Sequence, residues 1–120
     1  MGIHRNFVKS RADFYKVLDD ALAETKRIAG TRTDYAPIES ILYQLDAMKR
    51  WTAQGRDPLL AERRSITMGQ VVSRELESVP EDMYDYKQKL LELAGYFKEW
   101  LTDAEVAAYD ESDLLSDFYD

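Results

Sequence analysis

PEDMYDYKQKLLELAGYFKEWL, Pro80 to Leu101, is the longest unbroken helical pattern in the chain. Its apolar residues Met83, Tyr86, Leu90, Leu93, Ala94, Phe97 and Leu101 recur at three-and-four spacing, which places them on one stripe of an α-helix. Pro80 brings a pre-set φ to the first helical position, and Glu81 and Asp82 put negative charge in the first turn, where the helix dipole favours it. A stripe of this width needs other elements to cover it. Tyr84, Tyr96 and Trp100 fall on its flanks, so some of them are expected at the surface or at a partner contact.

The preceding residues supply the cover. ITMGQVVSRELE turns Ile66, Val71, Val72 and Leu76 inward and predicts a helix over Ser65 to Glu77, joined to the long helix by the short Ser78–Val79 turn. Gly69 inside that pattern costs about 1 kcal/mol relative to alanine, which argues for close packing there. Asp57-Pro58 opens either a short helix over Leu59 to Arg63 or the beginning of the same one. Further back, Ile38, Ile41, Leu42, Leu45 and Met48 mark a helix from Pro37 to Gln54, closed by Gly55, with Tyr43, Asp46, Lys49 and Arg50 on its back face and Trp51 at the core edge. Ser10, with Asp13 three residues on, starts a first helix, Arg11 to Ala29, whose inner face is Phe14, Val17, Leu18, Ala21, Leu22 and Ile28; Gly30 is its expected C-cap. Phe7 and Val8 can dock the lead-in. The expected fold is therefore all-α, a small bundle of four main helices in residues 1–101, followed by an acidic tail over 102–120.

Charge divides the chain in the same place. All 16 Lys and Arg lie in residues 1–101 beside 16 acids, whereas 102–120 hold seven acids and no base, so the net charge of −7 resides in the tail. A neutral body lacks the positive footprint that nucleic-acid binding requires. The tail interleaves its acids with Val106, Tyr109, Leu114, Leu115, Phe118 and Tyr119, unlike a plain solvated charge run. Asp103 to Tyr109 can add a turn or two to the bundle.

Chemistry finds little footing. With no cysteine and a single histidine, His4, no thiol nucleophile, thiolate metal site or Ser-His relay is available to the rigid part of the chain. No Glu-x-x-His pair, calcium loop or Gly-rich phosphate loop occurs. Neither catalytic residues, nor a cofactor, nor a metal is expected. The start lacks the apolar run of a signal peptide and no stretch approaches the ~20 apolar residues of a membrane span, so a cytoplasmic address without a membrane partner is expected. Eight tyrosines and two tryptophans exceed what so small a core needs, and aromatics anchor protein interfaces.

The stretch ITMGQVVSRELESVPEDMYDYKQKLLELAGYF resembles the type VI secretion immunity proteins that protect bacteria against an NAD(P)+-hydrolysing effector. The resemblance rests on Ile66-Thr67-Met68-Gly69 leading into Val71, Val72 and Arg74-Glu75, an acidic turn with Pro80, and the aromatic pair Tyr96-Phe97. Upstream, TRTDYAPIESILYQLDAMKRW is similar to the family's preceding helix, so the likeness spans roughly residues 33 to 98. It implies a stoichiometric inhibitor that binds a cognate toxin domain, encoded by the adjacent gene, and blocks its active-site cleft. The expected contact is the exposed edge of the second and third helices, with Asp46, Arg50, Trp51, Arg74 and Glu75, and secondly the tail around Tyr109, Asp110 and Asp113. The alternative is a helical adaptor or chaperone that holds a basic client with the acidic tail.

Overall fold

The computed structural model describes residues 6–31, 36–75, 83–106 and 108. Among the described residues five α-helices of six or more residues follow one another: α1 (Arg11–Thr31), α2 (Ala36–Trp51), α3 (Leu60–Ser65), α4 (Met68–Glu75) and α5 (Tyr84–Glu99), with a 3-10 turn, Ala53–Gly55, after α2. No strand occurs among the described residues. α1 packs on α2 and α5, α2 on α4, and α4 on α5, so four helices close a cycle around one core while α3 lies outside against α5. The all-α bundle read from periodicity is the observed one.

The stripe on α5 faces that core. Tyr86, Leu90, Leu93, Ala94 and Phe97 are buried, with Met83 and Leu101 half-buried at its ends. Phe14 of α1 meets it at the centre, its ring stacked 5.4 Å from Tyr96 and 6.4 Å from Phe97 and edge-on to Trp100 at 5.2 Å. Fully burying an apolar side chain such as Phe14 or Leu93 contributes about 1.5–3 kcal/mol.

α1 begins as its sequence predicts. Ser10 Oγ accepts from Asp13 N–H at 3.1 Å, and Asp13 Oδ2 accepts from Lys9 N–H at 3.2 Å, so the cap is reciprocal. The helix runs through Gly30 instead of stopping there, because Gly30 does not adopt the positive φ of a C-cap; Thr31 Oγ1 donates to Ile28 O at 2.9 Å.

Two further boundaries differ from expectation. α2 ends at Trp51, three residues early, because Gln54 and Gly55 both take positive φ (57° and 79°) in the following turn. The helix expected over Ser65 to Glu77 is interrupted at Ile66, whose extended backbone (φ −79°, ψ 119°) drops its side chain into the core. Thr67 then opens α4 in the grip of α2: Gln44 Oε1 accepts from Thr67 N–H at 2.8 Å and Gln44 Nε2 donates to Thr67 Oγ1 at 3.1 Å. The described part of α4 ends at Glu75 and that of α5 begins at Tyr84, with Met83 at the N-cap position; Leu76 to Asp82, including the expected helix start at Pro80, lie outside the described residues.

Packing continues past Leu101. Thr102 and Glu105 form a reciprocal cap at 3.1 and 3.2 Å over a helical turn, 103–106, and Val106 joins the core. The N–H of Thr102, and then its hydroxyl, hold the Glu105 carboxyl below its ordinary range.

Candidate partner-binding site

α2 turns Ile38, Ile41, Leu45 and Met48 inward, so helical geometry sends Glu39, Tyr43, Asp46 and Arg50, spaced four, three and four, to solvent as one line. Tyr43 stands at its middle with 71% of its surface exposed, the most exposed large apolar side chain among the described residues. Beside it Lys49 Nζ reaches Asp19 of α1 at 3.1 Å. The line carries an aromatic body and a phenol between two carboxylates, chemistry suited to a basic, partly apolar surface.

The five body residues expected at the contact do not converge on one spot. Asp46 and Arg50 are exposed on the second half of α2. Trp51 is half-buried, its ring stacked on Phe97 at 6.2 Å and 24°, so its apolar face supports the core. Arg74 and Glu75 are exposed on α4 and line an open groove of about 620 Å³ with Pro37, Ser40 and Gln70. Ser40 and Arg50 are ten residues apart on one helix, about 15 Å along its axis. Tyr109, Asp110 and Asp113 lie outside the described residues. Of the three aromatics expected on the flanks of the long helix, Tyr84 is exposed while Tyr96 and Trp100 enter the aromatic cluster.

A second exposed feature had no sequence signal beyond two adjacent leucines. α3 buries none of its residues, and Leu59 and Leu60 at its start are 60% and 51% exposed. Polar braces fix it from behind. Arg63 donates to the carbonyls of Lys98 and Glu99 at 2.9 Å each, capping the end of α5; Glu62 accepts the Leu59 N–H at 2.8 Å and pairs with Arg56 at 3.1 Å. Desolvation pushes the Glu62 carboxyl upward, but the Leu59 N–H and Arg56 outweigh it and leave it lowered. Ahead of α3, Asp57 accepts from Trp100 Nε1 at 2.8 Å, and Trp100 lies 3.9 Å under the Arg11 guanidinium.

Buried polar groups are occupied with structure. Glu92, 5% exposed on α5, accepts the N–H groups of Asn6, Phe7 and Val8 on one oxygen at 2.9, 2.9 and 3.0 Å and Gln88 Nε2 on the other at 3.0 Å. Thr25 Oγ1 donates to Ala21 O, so the Tyr86 hydroxyl 2.7 Å away donates to Thr25; burial pushes the Tyr86 phenol up. No group of three or more His, Cys, Asp or Glu among the described residues is placed to hold a metal ion.

Exposed recognition chemistry on a helical body, with its buried carboxylate spent on the chain's own backbone, agrees with the sequence comparison. Residues 14–99 match the Tsi6 family model. The chain belongs to the Tsi6 family. Tsi6 is a family of type VI secretion immunity proteins. The Tsi6 match begins at Phe14, the aromatic centre of the core, and ends at Glu99, the last residue of α5, so it spans both exposed features but not the acidic tail. No curated protein and no solved structure matches the chain. No helix among the described residues is long and apolar enough to cross a membrane.

Proposed function

We propose that this chain is the non-catalytic, cytoplasmic antidote to one NAD(P)+-consuming toxin domain encoded beside it, and that it works by covering the toxin's active-site cleft. Membership of the Tsi6 family carries the reading. A cleft that holds an anionic dinucleotide presents positive potential, and an inhibitor that offers carboxylates and an aromatic to it excludes the substrate while accelerating its own association. The outward line of α2, with Glu39 and Asp46 on either side of Tyr43 and Arg50 a turn beyond, has that composition. Arg74 and Glu75 extend the contact along the groove beside Pro37, Trp51 buttresses the helix end, and the tail around Tyr109, Asp110 and Asp113 is the second contact.

Expression of the toxin domain with and without this chain, followed by viability and cellular NAD+, tests the reading. Rescue with NAD+ preserved is expected. Rescue of cells whose NAD+ was never depleted would keep the immunity role and discard the substrate; toxicity without rescue would discard the role. The adaptor reading rests on the mixture of acids and apolar residues in the tail, and truncation separates the two. Because Asp103 Oδ1 accepts from Arg11 N–H at 2.8 Å and Val106 is buried, the cut belongs after residue 108 rather than at Leu101. An adaptor loses its client on that cut, whereas an antidote gives up only the tail's share of the contact and still holds and inhibits its toxin.

A further inference from the structure

α3 is built opposite to an ordinary amphipathic helix. Six residues are too few to be helical alone, and burial of an apolar face is what normally stabilises a helix in a protein. α3 has no such face: none of its residues is buried, and the leucine pair at its start points to water. Its position comes instead from Arg63 on the last carbonyls of α5, from the Arg56–Glu62–Leu59 links, and from Asp57 on Trp100. A fold that spends this many polar contacts to hold two leucines in water has preorganised them, and preorganised apolar side chains gain most when a partner desolvates them.

The surroundings specify the partner. Between Arg56 and Arg64 three bases stand against two acids, in a chain whose net charge is −7. Arg56 and Arg64 are exposed on either side of the leucines in sequence. The α2 line, by contrast, sets two carboxylates around Tyr43. We propose that the α3 face, Leu59 and Leu60 between Arg56 and Arg64, is a second docking surface for the toxin domain, receiving an acidic part of it that carries an apolar recess. This rests on the immunity reading and adds to it: a contact of that chemistry falls outside a cleft made for an anionic dinucleotide, so α3 supplies affinity and α2 supplies occlusion.

The test is calorimetric titration of the purified toxin domain with the full chain, its Leu59→Ser/Leu60→Ser variant and its Arg64→Glu variant, each alongside inhibition of NAD+ hydrolysis. The leucine variant folds, as circular dichroism will show, because α3 buries nothing. It is expected to bind about 30-fold or more weakly and yet to inhibit completely at saturation, and Arg64→Glu to bind about tenfold more weakly. Binding of both variants within about threefold of the parent overturns the proposal, as does incomplete inhibition at saturation, which would put α3 in the cleft. It is also overturned if the leucines prove covered in the free chain: by a second copy, seen as a dimer that the leucine variant dissociates, or by the chain's own end, seen as tighter toxin binding after truncation at residue 108. A parental chain that does not bind the toxin domain overturns the immunity reading itself, and this surface with it.

Discussion

Glu92 is the residue on which the chain's beginning depends. One of its oxygens takes three consecutive backbone N–H groups, those of Asn6, Phe7 and Val8. Glu92→Ala strands those donors and is expected to cost about 3 kcal/mol, whereas Glu92→Gln, whose amide oxygen still accepts, costs about 1–2 kcal/mol. Urea unfolding with an unchanged m-value would establish the stability loss, and faster amide exchange at residues 6–8 would locate it. Tyr86 makes a prediction in pH. Its folded pKa lies above the ordinary tyrosine value, so as pH rises past about 10 the unfolded chain releases this proton first and stability falls. Tyr86→Phe gives up one buried hydrogen bond, about 1 kcal/mol at neutral pH, and flattens that alkaline decline; equal slopes for parent and variant would show that Tyr86 does not titrate differently on folding. Sequence could identify Tyr86 as a core residue from its spacing. It could not single out Glu92, because a glutamate on a helix is ordinarily solvated, and only the docking of residues 6–8 against α5 makes this one an acceptor.

Among the elements, α5 carries an avoidable weakness and α3 an unusual strength. Gly95 sits inside α5 with helical φ and no atom within 4 Å of a built Cβ, so Gly95→Ala should stabilise by about 0.5–1 kcal/mol, read as a higher denaturation midpoint. The glycine expected to permit close packing, Gly69, has Ala94 Cβ 3.7 Å from a built Cβ, an ordinary contact that an alanine there would also tolerate. α3 hangs on Arg63. Replacing it with alanine should release α3 from α5 and raise amide exchange across residues 59–65 by about tenfold or more, while global stability falls by only about 1 kcal/mol. Lysine should not restore it, since a single ammonium lacks the planar fork that spans two carbonyls. The four helices around the core were legible because each has a periodic apolar face. Whether α3 and α4 are one helix or two stayed open in the sequence, because Gln44, 23 residues away, imposes the break through Thr67.

At the scale of the molecule, charge is distributed unevenly: a neutral body, an acidic tail, carboxylates along α2 and a basic excess near α3. Complementary fields steer association more than they set final affinity, and salt screens them over about 10 Å at 0.1 M. Raising salt from about 0.05 to about 0.5 M should therefore slow toxin association by about tenfold or more while dissociation changes little. Stopped-flow rates that do not respond to salt would remove electrostatics from the recognition mechanism.

Sequence alone determined that the chain is all-α, which faces of its long helices turn inward, where the first helix begins, and the family to which it is similar. These follow from local periodicity and from short-range hydrogen bonds, which a residue carries wherever its helix is placed. Tertiary structure decided why α3 and α4 are separate, that Glu92 is an anchor, and that Trp100 serves the core while Leu59 and Leu60 face water. Each of these is set by a partner distant in sequence: Gln44 on Thr67, residues 6–8 on Glu92, Phe14 against Trp100, Arg63 on the end of α5. Which residues meet across a bundle depends on how its helices pack, and no single helix encodes that.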